Sequence, residues 1–380
     1  SSKLVQTGER DSLILNGSWI SSGTYTPNNQ PTVFDLQAGV HQLSIPAGQP
    51  MSTMILKGSG SLSLLGTITI NENIILENDA TLMAGTGTIN IGGDWINNGG
   101  IFDEGESKVI FNADSESKIQ TISGGKFWRI DFSGKSKKVI ASDISVRRYF
   151  IINKTATEVD AGTSNIHLIG RPTYWYNYKG ETAFAQSGDG AVICSGSTVY
   201  FGKHNDDPAK RDTRITTFNN IILQGTGTKH FYDTTNVKGS VEMVSGVDVV
   251  IGRYGSINGV TDNSTFISYG GALLIYGEDN FPKDMNTELV GGSVYYRDSI
   301  DQIISPAQYY NLVLRNEYKG SSGSSFSIRR TTKTMSGDIS VVGTLNINDS
   351  LAILDVDNHK ITLTGTIAMA NNGKQIRWGD

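Results

Sequence analysis

Short runs of alternating apolar and polar residues occur along much of the chain. Residues 67–70, 88–91 and 360–363 place apolar side chains on one face and mainly Thr or Asn on the other, which is the period of two that a half-buried strand requires. Clusters of Gly, Asn, Asp and Ser separate these runs and favour tight turns. No stretch of 12 or more residues carries a helical stripe. The pattern therefore predicts brief strands, frequent turns and little helix.

Three longer phrases recur at long spacing. Trp19 lies in Gly-Ser-Trp-Ile-Ser-Ser-Gly, and 76 residues later Trp95 lies in Gly-Asp-Trp-Ile-Asn-Asn-Gly. A second phrase is centred on Ile70, Val146, Val237 and Val341, and a third begins at Met51, Phe127, Phe218 and Tyr309. Recurrence at such a period is typical of a duplicated and stacked supersecondary unit. We therefore predict four degenerate tandem copies.

The predicted copies form one continuous array over residues 1–380. Their approximate bounds are 1–92, which is N-terminally incomplete, 93–169, 170–270 and 271–365, with 366–380 starting a further copy. Both ends lie in repeat sequence without an apparent helical cap, and exposed ends of a stacked array carry unpaired strand edges. We therefore expect a segment of a longer chain, or neighbouring domains of the same chain that cover both ends.

Two all-β architectures fit these strands. One is a parallel β-helix (β-solenoid), and the other is a row of tandem β-sandwich domains. No Pro-rich or charged linker separates the copies, and a coil tolerates their variable length more easily than a closed sandwich does. The sequence therefore favours the β-solenoid.

Composition narrows the choice of partners. The 380 residues include 44 glycines and carry a net charge of -5, with 37% apolar and 18% charged residues. The short basic clusters at 135–138 and 329–333 are too small to predict a nucleic-acid partner. No apolar run reaches the length of a membrane span. Cys194, the single cysteine, excludes an intrachain disulfide and is interpreted as a small buried hydrophobe.

Candidate catalytic chemistry is sparse. The five histidines lack metal-ligand spacing, and the chain has no phosphate loop, dinucleotide fingerprint or nucleophile elbow, so we predict no metal and no cofactor. Carboxylates on neighbouring turns of a β-helix can cleave sugars. The candidates are Asp206 with Asp207 and Asp355 with Asp357; the alternative for each is an ordinary charged turn.

An aromatic run is the most suggestive candidate site. Tyr174, Trp175, Tyr176 and Tyr178 lie within five residues, and a strand would align the three tyrosines on one face, where rings can stack on sugar. The alternative is that Trp175 takes the place of the repeat tryptophan after a three-residue insertion. The first interpretation predicts a glycan-binding site.

Several of these phrases resemble a known class of repeats. Gly-Asp-Trp-Ile-Asn-Asn-Gly-Gly-Ile-Phe at 93–102, the strand at 108–111, Gln-Thr-Ile at 120–122 and the phrase from Phe127 to Phe132 are similar to repeats of very large gliding and adhesion proteins of Bacteroidota. The resemblance covers most of residues 10–365 and is weak in the third copy. It implies export by the type 9 secretion machinery and an extracellular location at the cell surface.

A shorter pattern supports the same source. Asp-Ser or Asp-Thr followed by an apolar residue resembles the acceptor pattern for O-glycosylation of exported proteins in these bacteria, with an ordinary turn as the alternative. The acceptors would be Ser12, Thr234, Ser299 and Ser350.

These observations predict a non-enzymatic structural or adhesive segment of a secreted bacterial cell-surface protein. Its expected ligand is a surface polysaccharide or another cell-surface molecule. The alternative is a β-helical polysaccharide lyase or glycoside hydrolase, for which carboxylates and basic side chains should converge in one groove across adjacent turns.

Overall fold

Parallel strands make up the regular structure of this chain. A computed structural model describes residues 3–5, 12–46, 48–153, 155–156, 158–179, 184–185, 191–194, 199–201, 215–316, 330–347, 349–369 and 376–378. Within these ranges the structure is all-β, without a helix, and its parallel strands stack as a β-solenoid. The predicted fold is confirmed, and tandem sandwiches are excluded because their sheets are antiparallel. No helix of the described ranges is long and apolar enough to cross a membrane.

The chain forms two compact units, residues 1–192 and 193–380. Strands of the first unit are β1 (Lys3–Val5), β2 (Leu13–Leu15), β3 (Trp19–Ile20), β4 (Thr24–Thr26), β5 (Thr32–Leu36), β6 (Val40–Ser44), β7 (Met54–Gly58), β8 (Ser61–Leu64), β9 (Thr67–Ile70), β10 (Ile74–Glu77), β11 (Thr81–Met83), β12 (Thr88–Ile91), β13 (Trp95–Asn98), β14 (Ile101–Asp103), β15 (Lys108–Phe111), β16 (Ile119–Ser123), β17 (Lys126–Phe132), β18 (Lys137–Ser142), β19 (Ile144–Ile152), β20 (Glu158–Asp160), β21 (Ile166–Leu168), β22 (Thr173–Asn177) and β23 (Phe184–Ala185). Strand β24 (Ala191–Cys194) contains the division between the units.

Strands of the second unit are β25 (Val199–Phe201), β26 (Thr216–Phe218), β27 (Asn220–Leu223), β28 (Thr228–Phe231), β29 (Thr234–Val237), β30 (Ser240–Met243), β31 (Asp248–Ile251), β32 (Ser256–Gly259), β33 (Thr265–Ser268), β34 (Ala272–Ile275), β35 (Asn286–Leu289), β36 (Ser293–Tyr296), β37 (Gln302–Ile304), β38 (Gln308–Tyr309), β39 (Asn311–Leu314), β40 (Thr331–Met335), β41 (Ile339–Val341), β42 (Thr344–Ile347), β43 (Ala352–Asp355), β44 (Ile361–Leu363), β45 (Thr366–Met369) and β46 (Ile376–Arg377).

A turn of the first unit has three faces. Strands β7, β8 and β9 follow one another around the coil, and β10, β11 and β12 then pair with them in the same order. We call these the first, second and third faces. In the second unit β27, β28 and β29 make one turn, and β30, β31 and β32 lie on them in the same way. Each of these turns thus supplies one strand to each face.

Alternating side chains build the core inside each turn. In β12 the inward Ile89 and Ile91 are fully buried, whereas the outward Thr88 and Asn90 are half-buried. The next turn places Val109 and Phe111 directly on the two isoleucines. Because every inward residue lies on an inward residue of the adjacent turn, the alternating pattern removes a continuous apolar column from water, which is the main favourable contribution to folding.

Two of the recurring sequence phrases lie directly on each other in the structure. The first residue of the third phrase pairs in register with the central residue of the second phrase in all four places. These pairs are Met51 with Ile70, Phe127 with Val146, Phe218 with Val237, and Tyr309 with Val341. All eight residues are buried. The recurrence therefore records which apolar residues must meet between adjacent turns.

Equivalent phrases do not occupy the same face of the coil. The strand of the third phrase lies on the first face in β7 but on the third face in β17. Trp19 lies in β3 on the second face and is half-buried, whereas Trp95 lies in β13 on the first face and is fully buried. The spacing between these phrases is therefore not a whole number of turns, and the two tryptophans do not form one ladder.

Candidate binding surface

Tyrosines and basic side chains form a continuous patch outside the third face of the first unit. Lys108 pairs in register with Arg129, Arg129 with Tyr149, and Tyr149 with Tyr174. Because in-register residues of parallel strands point to the same side, these four side chains form one outward column. Tyr176 in β22 and Tyr178 just after this strand extend the patch. We use the term tyrosine surface for Tyr149, Tyr174, Tyr176 and Tyr178 with Lys108, Arg129 and Arg148.

Rings of the tyrosine surface pack mainly against one another. The centroids of Tyr149 and Tyr174 are 5.3 Å apart, with an angle of 17° between the ring planes. The ring centroid of Tyr176 lies 5.7 Å from that of Tyr174 and 5.7 Å from that of Tyr178. Such ladders of stacked rings stabilise neighbouring strands. The ring faces are therefore partly covered by other rings.

Two guanidinium groups cover more of this ring surface. Arg148 lies over Tyr149 at 5.5 Å and over Tyr174 at 5.2 Å from the ring centroids. Arg129 lies over Tyr149 at 5.5 Å. These are cation–π distances. Arg148 also donates a hydrogen bond of 3.4 Å to the carbonyl oxygen of Pro172. Among the described residues, no carboxylate pairs with Arg148.

A buried carboxylate holds the other two cations in place. Asp131 is 3% exposed and accepts hydrogen bonds of 2.8 and 2.9 Å from Arg129, and Nζ of Lys108 lies 3.1 Å from the same carboxylate. The hydrogen bond to Asp131 raises the pKa of Arg129. Two fixed cations thus share one anion. With Arg148, the tyrosine surface carries three cations beside one carboxylate, in a chain whose net charge is -5.

Burial also affects the hydroxyl of Tyr176. It raises the pKa of Tyr176 well above the ordinary value, and neighbouring Tyr178 and Tyr174 raise it further. The phenol of Tyr176 is therefore protonated at neutral pH and can donate a hydrogen bond.

Trp175 does not belong to this surface. Its side chain is 2% exposed and stacks on Phe150 with ring centroids 3.9 Å apart and an interplanar angle of 9°. Phe150 pairs with Trp175 as Ile74 pairs with Trp95. Because neighbours along a strand point to opposite sides, the three tyrosines face outwards and Trp175 faces the core. Trp175 as a glycan contact is a wrong prediction, because its ring lies in the core; its role as a replacement for the repeat tryptophan stays a prediction.

The insertion before Trp175 is closed by a buried threonine. Thr173 donates a hydrogen bond of 3.1 Å to the carbonyl oxygen of Arg147 and accepts one of 2.8 Å from the amide of Gly170. A Cβ at Gly170 would overlap that same carbonyl oxygen. Close packing between the two turns therefore fixes where β22 starts, and with it the position of the tyrosines.

Other copies carry a different arrangement at the positions of Arg129 and Tyr149. Asn220 and Asn311 stand two residues after the first residue of the third phrase, as Arg129 does. Their Oδ1 atoms accept hydrogen bonds of 2.9 Å from the amide of Ser240 and 2.8 Å from the amide of Thr344 in the next turn. In the predicted third and fourth copies, an asparagine of one turn thus hydrogen-bonds the backbone amide of the small residue that lies on it in the next turn. The second copy has an arginine below a tyrosine instead.

A neighbouring corner repeats the use of a buried carboxylate. Glu104 is 4% exposed, and Arg147 and Lys126 lie 3.1 and 3.3 Å from its Oε1. Arg147 also lies over the ring of Trp128 at 5.6 Å. Sequence analysis missed Tyr149, Arg148 and this corner. The signal was present as Arg-Arg-Tyr within the second phrase, but only the register shows that it lies beneath the tyrosines.

The carboxylates that the sequence offered as catalytic candidates lie elsewhere. Asp355 lies in β43, with Arg377 at 3.3 Å, and Asp357 has a positive φ of 49° in the turn that follows. Asp206 and Asp207 lie outside the described residues. Within the described ranges, no group of three or more His, Cys, Asp or Glu is placed to hold a metal ion.

The predicted glycosylation acceptors differ in their surroundings. Ser12 and Ser350 are exposed, whereas Thr234 in β29 and Ser299 are half-buried. Asp298, which precedes Ser299, is 2% exposed and forms an ion pair with Arg253. Burial raises the pKa of Asp298, but hydrogen bonds from Arg253 and the amide of Gly277 produce a net decrease. This Asp-Ser pair has a structural role in a turn; modification at any of the four positions stays a prediction.

Polar side chains are also buried at turn corners. Gln120 donates a 2.8 Å hydrogen bond to the carbonyl oxygen of Ile91, and Gln302 donates one of 3.1 Å to that of Ile275. Each glutamine pairs in register with a buried lysine, Lys138 or Lys333. Cys194 is fully buried, as predicted, and burial raises its pKa to about 12. These groups satisfy the backbone of the coil and face away from solvent.

Comparisons of this chain with protein-family models, curated proteins and solved structures find no match.

Proposed function

We propose that this chain is a non-enzymatic structural and adhesive segment of a secreted bacterial cell-surface protein, and that its tyrosine surface binds a surface polysaccharide. The observation that carries the proposal is the departure of the predicted second copy from the predicted third and fourth copies. Where copies three and four place Asn220 below Ser240 and Asn311 below Thr344, the second copy places Arg129 below Tyr149. Asparagine below a small residue is sufficient to close the turn, so the aromatic and cationic replacement calls for another role.

The fold supports a role as a scaffold for binding. In each unit every described turn rests on its neighbours through parallel pairing, so stability is distributed over repeated interfaces and outward side chains can vary without loss of the core. Residues on such a rigid face are held at fixed spacing, which favours recognition of an extended ligand.

Location at the cell surface rests on the resemblance to type 9-secreted repeats and on the exposed Ser12 and Ser350. Intact-mass analysis of protein purified from its native host tests this part. We expect added hexose-containing mass that maps to peptides with Ser12 or Ser350, whereas unmodified peptides at both positions would contradict it.

Nearby carboxylates favour binding over cleavage. Asp131 and Glu104 are both nearly inaccessible, and each lies within 3.3 Å of two basic side chains. The carboxyl groups of a glycosidase must reach the bond that is cleaved, whereas these two side chains are buried and face basic groups. These two groups are positioned to fix cations.

Affinity electrophoresis through gels that contain neutral or acidic polysaccharides tests the binding function. The intact chain should be retarded by at least one polysaccharide. The double variant Tyr149→Ser/Tyr174→Thr carries the residues that the third copy has as Ser240 and Thr265, and it should lose the retardation while its circular dichroism is unchanged. Tyr269→Ser, at a tyrosine that is 49% exposed in the second unit, is the matched control and should bind normally.

Two results would contradict the proposal. One is equal mobility of the wild type and the double variant in every gel. The other is release of reducing ends from any of these polysaccharides by the purified chain, which would indicate the alternative enzymatic function.

A further inference from the structure

The tyrosine surface presents charge and hydrogen-bond donors more than open ring faces. Tyr149 and Tyr174 are stacked on each other, and Arg148 covers both rings from outside. A neutral sugar that binds by stacking needs a free ring face. Tyr149, Tyr174 and Arg148 are half-buried, so each keeps part of its surface in contact with solvent.

Basic side chains outnumber carboxylates on the described part of the tyrosine surface. Lys108 and Arg129 share Asp131, and Arg148 has no carboxylate partner among the described residues. Guanidinium groups recognise carboxylates and sulfates through paired donors of fixed geometry. Among the described residues of the tyrosine surface, three basic side chains and one carboxylate therefore leave two positive charges uncompensated.

We infer that the ligand of the tyrosine surface is an acidic polysaccharide, a chain that bears uronate carboxylates or sulfates. This inference rests on the proposed function and specifies its substrate class. Arg148 binds an acidic group, and the hydroxyls of Tyr149 and Tyr176 donate to sugar oxygens. Asp131 acts as a positioning residue that holds Arg129 and Lys108 beside the next acidic group. Strands about 4.8 Å apart present these donors repeatedly along the stack.

Titration calorimetry on the intact chain tests the ligand class. The probes are alginate oligosaccharides (carboxylates), dextran sulfate (sulfates), neutral dextran and single-stranded poly(dT), at two salt concentrations. We expect alginate or dextran sulfate to bind, neutral dextran to bind at least about tenfold more weakly, and affinity for the acidic glycan to fall as salt screens the charges. Alginate and dextran sulfate together distinguish a carboxylate from a sulfate as the recognised group.

Arg148→Gln is the diagnostic variant. It should weaken binding of the acidic glycan about tenfold, since one charge-assisted contact is lost. Arg315→Gln is its matched control, because Arg315 lies over the ring of Tyr295 at 5.9 Å in the second unit and should not affect binding. Asp131→Asn removes a negative charge and adds no positive one. It should nevertheless weaken binding and reduce the salt dependence of binding, because Arg129 and Lys108 lose the carboxylate that positions them.

Outcomes separate this inference from the proposed function. If neutral dextran binds as tightly as alginate and Arg148→Gln has no effect, while Tyr149→Ser/Tyr174→Thr abolishes binding, the surface binds glycans but the ligand class is wrong. An equal effect of Arg315→Gln, or a preference for poly(dT), would overturn the inference in favour of general polyanion binding. If no glycan binds at all, the proposed function fails as well.

Discussion

Nζ of Lys333 donates a hydrogen bond of 2.6 Å to Oε1 of Gln302, and both side chains are buried between adjacent turns of the second unit. The same ammonium group donates to the carbonyl oxygens of Asp298 and Ile300 at 2.9 and 3.1 Å. Lys138 has a similar position in the first unit, where it donates to the carbonyl oxygen of Ser136 at 2.8 Å. Both lysines thus close a corner of the coil from inside.

Stability should rise with pH through these two lysines. Burial lowers the pKa of Lys138 and Lys333 from 10.5 to about 8, which nearby carboxylates only partly oppose. Between these values the unfolded chain binds more protons than the folded chain, so the free energy of unfolding increases with pH, by at most about 3 kcal/mol for each lysine. Urea unfolding between about pH 7.5 and pH 9.5 should show the increase.

Removing the titrating groups provides the check. Lys138→Met with Lys333→Met should reduce the pH dependence, and the part that remains includes the contribution of Lys229, whose pKa is also lowered by burial. Lys57→Met, at a lysine paired with Asp35 at 3.1 Å, should leave the pH dependence unchanged. A double variant with the same slope as the wild type would contradict this account.

Replacing Trp175 should damage the core of the first unit. Trp175→Ala removes a ring that packs on Phe150 and, at 4.9 Å, on Phe184, and such a cavity costs about 3–5 kcal/mol of stability. Trp378 is 62% exposed, and Trp378→Ala should change the free energy of unfolding by less than about 0.5 kcal/mol. Chemical unfolding followed by circular dichroism measures both; similar losses in the two variants would argue against a core role for Trp175.

Closure of the ladder by asparagine can be tested at Asn311. Asn311→Ala leaves the amide of Thr344 without its 2.8 Å acceptor. The carbonyl oxygen of Gly292 loses its 3.0 Å side-chain donor but keeps the backbone amide of residue 311 at 3.2 Å. We expect a loss of about 1–3 kcal/mol in the free energy of unfolding. Asn98→Ala is the control, because Asn98 is exposed. Equal stability of Asn311→Ala and wild type would show that these hydrogen bonds contribute little.

The sequence predicted the fold because the alternation within strands and the recurrence of longer phrases both indicate stacked strands. The alternation within residues 88–91 sets the inward face of a strand, and the recurrence of Phe127, Phe218 and Tyr309 marks residues that meet Val146, Val237 and Val341 one turn later. Both signals arise from burial, which a single sequence records directly.

The candidate site was only partly predictable, because a surface depends on register between turns. Tyr174, Tyr176 and Tyr178 were found from the strand period, but Trp175 alternates with them and lies inside. Tyr149 lies 25 residues earlier in the sequence, and its position beneath Tyr174 depends on the length of the intervening insertion. No local pattern specifies that length.

Close contact at Gly170 should control this register. Gly170→Ala adds a Cβ that overlaps the carbonyl oxygen of Arg147, so the two turns must separate. We expect reduced stability and weaker binding to acidic glycan. Gly17→Ala is the control, since its Cβ would meet only His41 at 3.9 Å. Unchanged glycan affinity in Gly170→Ala would show that the insertion does not position the tyrosines.

Disulfide trapping measures the register between the two turns of the tyrosine surface. Adjacent in-register residues of parallel strands lie about 4.8 Å apart, within the range that a disulfide spans. The pair Tyr149→Cys/Tyr174→Cys should crosslink quantitatively under mild oxidation, because Tyr149 lies opposite Tyr174. The pair Tyr149→Cys/Arg171→Cys, which tests the register without the three-residue insertion, should stay reduced. Crosslinking of the second pair and not the first would contradict the account.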